Sequence, residues 1–149
     1  MEEDLKELEK EFVTYEIGLK LKELRFNKPC FARVSESGVT YPACAFNSKS
    51  TSIPRVYDHE FSGSYKSWVR APLWQQVIDW VRDNYHYQIE VLSNYDTEIP
   101  NTFLYSFLIL SLDGYYLKWE YTSDKQYKEY PEAREKGILK AIELIKDKK

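Results

Sequence analysis

The sequence predicts a small α+β domain, because helical and strand-like hydrophobic patterns occur in one chain of 149 residues. The stretch 72–90 has the pattern of an amphipathic helix that runs into a strand, and residues 103–121 have the pattern of two strands around an Asp-Gly turn. A chain of this length buries roughly two thirds of its unfolded surface. We therefore expect a single domain over residues 1–149. Its predicted parts are an N-terminal helix plus β-hairpin (1–46), a long Ser-rich basic-aromatic loop (47–71) and an α-β-β-β-α unit (72–149).

The N-terminal region predicts helical structure before the hairpin. Leu5, Leu8 and Phe12 form an apolar stripe over residues 2–13. Thr14 is a candidate cap for helical residues 15–25. The pattern leaves open whether this region is two helices or one helix bent near residue 14.

A β-hairpin is predicted where Ser35-Glu36-Ser37-Gly38 separates two strand-like runs. With a three-residue loop over 36–38, Cys30 falls opposite Cys44. We expect two buried thiols, whereas a disulfide would require an oxidising compartment, so the pairing stays open. Pro42 removes a backbone donor and places its strand at a sheet edge.

Segment 47–71 contains six serines interleaved with basic and aromatic residues. Connections longer than ~15 residues without regular structure are uncommon in compact domains and tend to be functional or mobile. Three interpretations are open: a ragged hairpin with short edge strands (Ile53/Val56 and Trp68/Val69), a contact surface for a partner, or disorder. The contact surface would consist of Arg55, Tyr57, Lys66, Trp68 and Arg70.

The C-terminal half predicts a helix, a three-stranded antiparallel meander and a final helix over about 131–146. On the central helix, Trp74 and Trp80 lie on the apolar arc, because apolar residues recur at three- and four-residue spacing. On the last strand, alternation predicts one buried face made of Tyr115, Leu117, Trp119 and Tyr121. Gly137 within the final helix predicts close approach to the sheet.

No motif for catalysis, phosphate binding or metal binding occurs in the chain. The two histidines, His59 and His86, have no second ligand at a useful spacing, and we interpret His86 as structural and His59 as a solvated loop residue. Cys30 and Cys44 also fit no metal or redox spacing. We therefore expect no enzymatic activity, no cofactor and no metal site.

The charge is uneven along the chain. The net charge is −3, but residues 72–121 carry two basic against seven acidic residues, which gives −5. Asp79 and Asp83 are the candidate partner contacts in this acidic section, because they fall on the polar arc of the central helix. No run approaches the roughly 20 apolar residues of a membrane span, and the N-terminus is acidic where a signal peptide would be basic. We expect a cytoplasmic protein without a membrane partner.

The α-β-β-β-α order of residues 72–149 is also that of double-stranded RNA-binding domains, a likeness of topology only. Those domains place several lysines at the start of the last helix to contact phosphates. Here three glutamates alternate with the basic residues of that region, which weakens such a contact; they are Glu129, Glu132 and Glu135.

Three segments together resemble a family of small proteins from phages, prophages and mobile elements of the Bacteroidetes. The segments are TYEIGLKLKELRFNKPC (14–30), RAPLWQQVIDWVRDNY (70–85) and YPEAREKGILKAIELI (130–145). The family pattern has Gly before the Phe that ends the first helix, where this chain has Arg25. It continues with an Ala-Pro…Gln…Trp-x-Arg helix, matched by Ala71, Pro72, Gln76, Trp80 and Arg82. It ends in Tyr-x-Glu-Ala…Gly-Ile, matched by Tyr130, Glu132, Ala133, Gly137 and Ile138.

The resemblance implies an accessory protein of a phage or mobile element and carries over no residue roles. Accessory proteins of this kind often bind and block host machinery, including CRISPR nucleases. We therefore expect a non-enzymatic protein that binds a host or defence-system protein, with an anti-CRISPR-type inhibitor of a nuclease as the specific case. An acidic patch suits the basic nucleic-acid channel of such an enzyme. The alternative is an RNA- or DNA-binding accessory domain that uses segment 47–71 and the basic tail. The sequence does not indicate an oligomeric state.

Overall fold

The computed structural model describes residues 2–42 and 68–148, and the α+β class is confirmed. The chain forms two compact units, residues 1–76 and 77–149. The described helices and strands are, in order, α1 (Glu2–Glu9), α2 (Tyr15–Glu23), β1 (Ala32–Ser35), β2 (Thr40–Pro42), β3 (Trp68–Arg70), α3 (Trp74–Tyr85), β4 (Tyr87–Tyr95), β5 (Phe103–Asp113), β6 (Tyr116–Thr122) and α4 (Tyr130–Asp147).

The N-terminal region forms two helices and not one bent helix. Between α1 and α2 the backbone pairs with the residues that precede α3. Phe12 forms a β-bridge with Leu73, and the Val13 N–H donates to the Pro72 carbonyl over 3.0 Å. These backbone groups are therefore not available to continue α1. Thr14 occupies the N-cap position of α2, but its side chain makes no capping hydrogen bond.

Helix α2 ends in a left-handed turn at Arg25, whose φ is 62°. The Phe26 N–H donates to the Leu21 carbonyl over 2.9 Å and closes this turn. Glycine is the residue most often found in this conformation at a helix end. The helix end therefore forms even though the chain has Arg25 where the resembling family has Gly.

The first unit contains an antiparallel sheet in the order β2-β1-β3. Val34 of β1 pairs with Thr40 of β2 and with Val69 of β3. Among the described residues β2 lies at the sheet edge, as Pro42 predicts. Residues 68–70, which we assigned to the loop 47–71, form β3, in agreement with the edge-strand interpretation of that part.

The second unit is a β4-β5-β6 meander packed on α4. We call the face towards α4 the inner face and the opposite one the outer face. Gly137 of α4 approaches the inner face as predicted: a Cβ on it would lie 3.0 Å from Ile89 Cγ2 and 3.3 Å from Phe107 Cγ. Five apolar residues of α4 are buried, which are Ala133, Ile138, Ala141, Ile142 and Ile145.

The predicted buried face of the last strand is wrong. Tyr115, Leu117 and Trp119 are exposed, whereas Tyr121 is half-buried against Phe107 on the inner face. Leu117 and Trp119 lie on the outer face, opposite α4, and a β-bulge separates them from Tyr121: Leu110 pairs with Trp119, but its neighbour Ile109 pairs with Tyr121. The extra residue between Trp119 and Tyr121 places these two side chains on opposite faces, so the alternation is broken.

Candidate protein-binding surface

The β5–β6 hairpin carries the largest group of neighbouring exposed apolar side chains in the second unit. Its turn begins at Asp113-Gly114, where Gly114 has a φ of 62°. We call this group the hairpin surface; its members and their exposed fractions are Leu112 (50%), Tyr115 (100%), Tyr116 (80%), Leu117 (69%) and Trp119 (64%).

The hairpin surface exposes a large aromatic area on both faces of the hairpin. Leu112, Leu117 and Trp119 lie on the outer face, and Tyr116, which pairs with Asp113, lies on the opposite one. The three aromatic rings of the hairpin surface alone expose on the order of 500 Å², given that such side chains bury about 150–250 Å² each in a core. The largest apolar patch on a typical monomer is roughly 300–600 Å² and is often functional. Tyr and Trp are also enriched at the centres of protein interfaces. These properties are typical of a protein-binding site.

One of these rings makes a hydrogen bond within its own strand. The Trp119 indole N–H donates to Thr122 Oγ1 over 2.5 Å, so its polar atom is satisfied within β6. A partner that covers this ring gains apolar contact without having to supply a hydrogen-bond acceptor.

A groove of about 500 Å³ lies beside the hairpin surface on the outer face. We call it the outer-face groove; it is lined by Arg82, Asp83, His86, Gln88, Leu110, Leu112 and Leu117. Its floor is apolar, because Leu112 pairs directly with Leu117 and Leu110 lies on the same face. Its polar residues come from the end of α3 and the start of β4. His86, which joins these two elements, has a φ of 60°, so its backbone forms the turn that we interpret as its structural role.

Of the two predicted acidic contacts, Asp83 lines this groove, and Asp79 is joined to the lining residue Arg82 by an ion pair. Arg82 reaches Asp79 Oδ1 from Nη1 and Asp83 Oδ1 from Nε, each over 3.1 Å. The hydrogen bond to Asp83 is the main reason that the pKa of Arg82 lies above its ordinary value. All three side chains keep large solvent-exposed fractions. The residue pattern of α3 therefore produces an exposed ionic cluster at one end of the groove.

The predicted contacts in segment 47–71 divide into two groups. Arg55, Tyr57 and Lys66 lie outside the described residues, as do His59 and Cys44. Trp68 of β3 is half-buried and packs edge-on against Tyr41 at 4.8 Å, and the Arg33 guanidinium lies 4.9 Å from the Trp68 ring centroid.

Arg70 of β3 is buried. It donates from Nη1 to the Lys28 carbonyl over 2.7 Å and from Nη2 to the Phe26 carbonyl. These hydrogen bonds connect β3 to the segment that follows α2. They explain why a charged side chain is buried at this position of the first unit. Its contact with a partner stays a prediction.

The start of α4 does not resemble a phosphate-binding surface. Lys128 and Lys136 are exposed, but so are Glu129 and Glu132. The Arg134 guanidinium lies 5.6 Å from the Tyr130 ring centroid. Because both charge signs alternate here, the potential that a phosphate backbone requires is weakened.

The described ranges 2–42 and 68–148 contain no cluster of His, Cys, Asp and Glu that could hold a metal ion. Within the same ranges no helix has the length and hydropathy needed to cross a bilayer. Cys30 is buried at the start of the first sheet.

Comparison of the chain with protein-family models, curated proteins and solved structures finds no match in any of the three. The candidate site therefore rests on the geometry of this chain alone.

The hairpin surface was missed at the level of sequence, because alternation along β6 was interpreted as a core pattern. One signal was present: Tyr115, Tyr116 and Leu117 are consecutive, and consecutive strand residues point to opposite faces. At least one large apolar side chain of this run had to point away from the face that the alternation marked as core.

Proposed function

We propose that this chain is a non-enzymatic binding protein that attaches to a partner protein through the hairpin surface. The observation that carries the proposal is the exposure of Tyr115, Tyr116, Leu117 and Trp119 around one β-turn. Three aromatic rings and two leucines at a projecting turn supply the kind of anchor that dominates protein interfaces.

The partner is a protein with a basic surface. Residues 72–121, which include the hairpin surface, carry a net charge of two basic minus seven acidic residues, or −5. Charge of one sign steers association with a surface of the other sign. Together with the resemblance to phage and mobile-element proteins, this favours a host or defence-system nuclease with a basic nucleic-acid channel, and hence an anti-CRISPR-type inhibitor. Direct nucleic-acid binding is an outcome that the experiment must distinguish.

The test is affinity capture from a lysate of a Bacteroidetes host, followed by titration with the purified captured protein. The bait is the tagged wild-type chain, and the test variant is Tyr115→Ser/Leu117→Ser/Trp119→Ser. The matched control is Tyr95→Ser, because Tyr95 is an equally exposed aromatic residue near the other end of β5. We expect the hairpin variant to lose affinity by at least about 100-fold, since interface anchors contribute about 2 kcal/mol or more each.

Two results would contradict the proposal. The hairpin variant could retain wild-type affinity for the captured protein, which would assign the contact to another surface. Alternatively, the wild-type chain could recover RNA or DNA without any protein, and the recovery could fall steeply with salt. That second result would favour the nucleic-acid-binding alternative. Circular dichroism spectra of both variants show whether loss of binding reflects unfolding.

A further inference from the structure

The outer-face groove combines an apolar floor with a charged rim. The floor is formed by Leu110, Leu112 and Leu117. The rim includes the paired side chains Arg82 and Asp83. The lining residue Gln88 donates from Nε2 to Glu90 Oε1 over 2.9 Å, so a second carboxylate lies next to the lining. A ligand that fits both parts must be apolar along its length and cationic at its end.

The lining itself is neutral, with Arg82 and Asp83, but the carboxylates bonded to lining residues make the neighbourhood of the groove negative overall. Asp79, Asp83 and Glu90 supply three carboxylates, and Arg82 supplies one guanidinium. Arg82 uses one oxygen each of Asp79 and Asp83. A carboxylate has about four acceptor positions, so Asp83 can bind a second donor without releasing Arg82.

We propose that the outer-face groove receives an arginine side chain of the partner protein. This inference rests on the proposed function and specifies the chemistry of the partner. The three methylenes of the arginine lie along the leucine floor, and its guanidinium reaches Asp83 and Glu90. Long basic side chains bury their stems on apolar surface and keep the charged end at the rim. The planar guanidinium matches a carboxylate better than an ammonium does.

The position of the groove supports an arginine over a purely aliphatic group. Trp119 pairs with Leu110, so an exposed indole adjoins the leucine floor on the same face. Arginine stacks on aromatic rings, and it is enriched with Tyr and Trp at interface hot spots. An aliphatic side chain would contact the leucine floor but would neither stack on the indole nor bind the carboxylates.

The experiment is a titration of the full chain by NMR with three matched probes: N-acetyl-arginine amide, N-acetyl-citrulline amide and N-acetyl-norleucine amide. Citrulline keeps the shape but loses the charge, and norleucine keeps only the stem. We expect amide shifts of Asp83, Gln88, Leu110 and Leu112 with the arginine probe at millimolar concentration. Binding of the other two probes should be about two- to fivefold weaker, the range for an exposed charged contact.

Two variants and two controls test the assignment of residues. Asp83→Asn and Leu117→Ser should each weaken binding of the arginine probe by about threefold or more. The controls are Glu98→Gln, which removes an exposed carboxylate elsewhere, and Leu92→Ser, which changes the outer face beyond the residues that line the groove. Both controls should bind the probe as wild type does.

The inference is overturned if norleucine amide binds as tightly as arginine amide, because the site would then be aliphatic only. It is also overturned if no probe shifts the groove amides. Either result can occur while the hairpin variant Tyr115→Ser/Leu117→Ser/Trp119→Ser still loses the captured protein, so the proposed function would stand without the arginine. If that variant retains the captured protein and the arginine probe still binds, the proposed function fails and the groove chemistry stands.

Discussion

Gly18 and Val69 approach each other so closely that no side chain fits between them. A Cβ on Gly18 would lie 2.7 Å from Val69 Cγ2 and 2.9 Å from the carbonyl oxygen of Arg70. Real Cβ atoms do not come this near to other atoms, and the second neighbour is backbone, which cannot rotate away. Helix α2 therefore packs on β3 at a distance that only glycine permits.

Gly18→Ala should destabilise the chain by about 1–3 kcal/mol, the usual cost of overpacking. The substitution also gains up to about 1 kcal/mol of helix propensity, which only partly offsets the clash. Urea unfolding measures the change. The control is Lys22→Ala on the exposed side of α2, which should stay within about 0.5 kcal/mol of wild type. A Gly18→Ala variant at least as stable as wild type would show that β3 moves away freely.

Arg25→Gly should stabilise the chain by about 0.5–1 kcal/mol, because Arg25 has the left-handed φ of 62° that glycine adopts without steric cost. Asn101→Gly is the matched comparison, since Asn101 has a φ of 58° and asparagine tolerates this conformation better than arginine. Its gain should be smaller. The midpoints of thermal unfolding measure the stability gain of both variants. A lower midpoint for Arg25→Gly would mean that the Arg25 side chain contributes more than its backbone strain costs.

Trp80→Ala should cost about 3–5 kcal/mol through loss of a buried ring. Trp80 is buried and packs edge-on against Tyr85, with ring centroids 5.3 Å apart. Trp119→Ala is the comparison, because the same ring is removed from an exposed position, and its cost should be below about 1 kcal/mol. Denaturant unfolding of both variants measures the difference between their free energies of unfolding. Equal losses would place the Trp119 ring in the core.

Glu120→Gln should lower the melting temperature at neutral pH and have a smaller effect in acid. The Ser111 hydroxyl donates to Glu120 Oε1 over 2.6 Å, and this bond, followed by the charges of Lys148 and Lys118, lowers the pKa of Glu120 below its ordinary value of 4.5. The ionised form is therefore favoured by folding. Its contribution is complete above the unfolded pKa and is lost as pH falls through the lower, folded pKa.

Melting curves of wild type and Glu120→Gln between pH 7 and pH 2 measure this contribution. Glu98→Gln is the control, since the side chain of Glu98 is exposed. A difference between wild type and Glu120→Gln that stays constant across this range would mean that ionisation of Glu120 does not stabilise the fold.

The helices and strands of this chain were largely predictable, whereas the candidate site was not. The apolar arc of α3 and the turn at Asp113-Gly114 are local patterns, and they identify their elements without knowledge of the neighbours. Alternation along β6 shows which side chains share a face, but it does not show which face α4 covers. It also does not reveal the bulge beside Trp119, which depends on how β5 and β6 pair. The outer-face groove requires residues from α3 and β6 to meet, which a linear pattern cannot indicate.

The bulge in β6 also protects the molecule from uncontrolled polymerisation. Sheets with an open edge can grow by adding strands from other molecules, and apolar side chains beside that edge increase the hazard. A strand from a second molecule would have to reproduce the irregular spacing at Trp119, and a symmetric pairing centred on Lys118 would oppose two ammonium groups. The hairpin surface can therefore remain exposed at high protein concentration without seeding fibres.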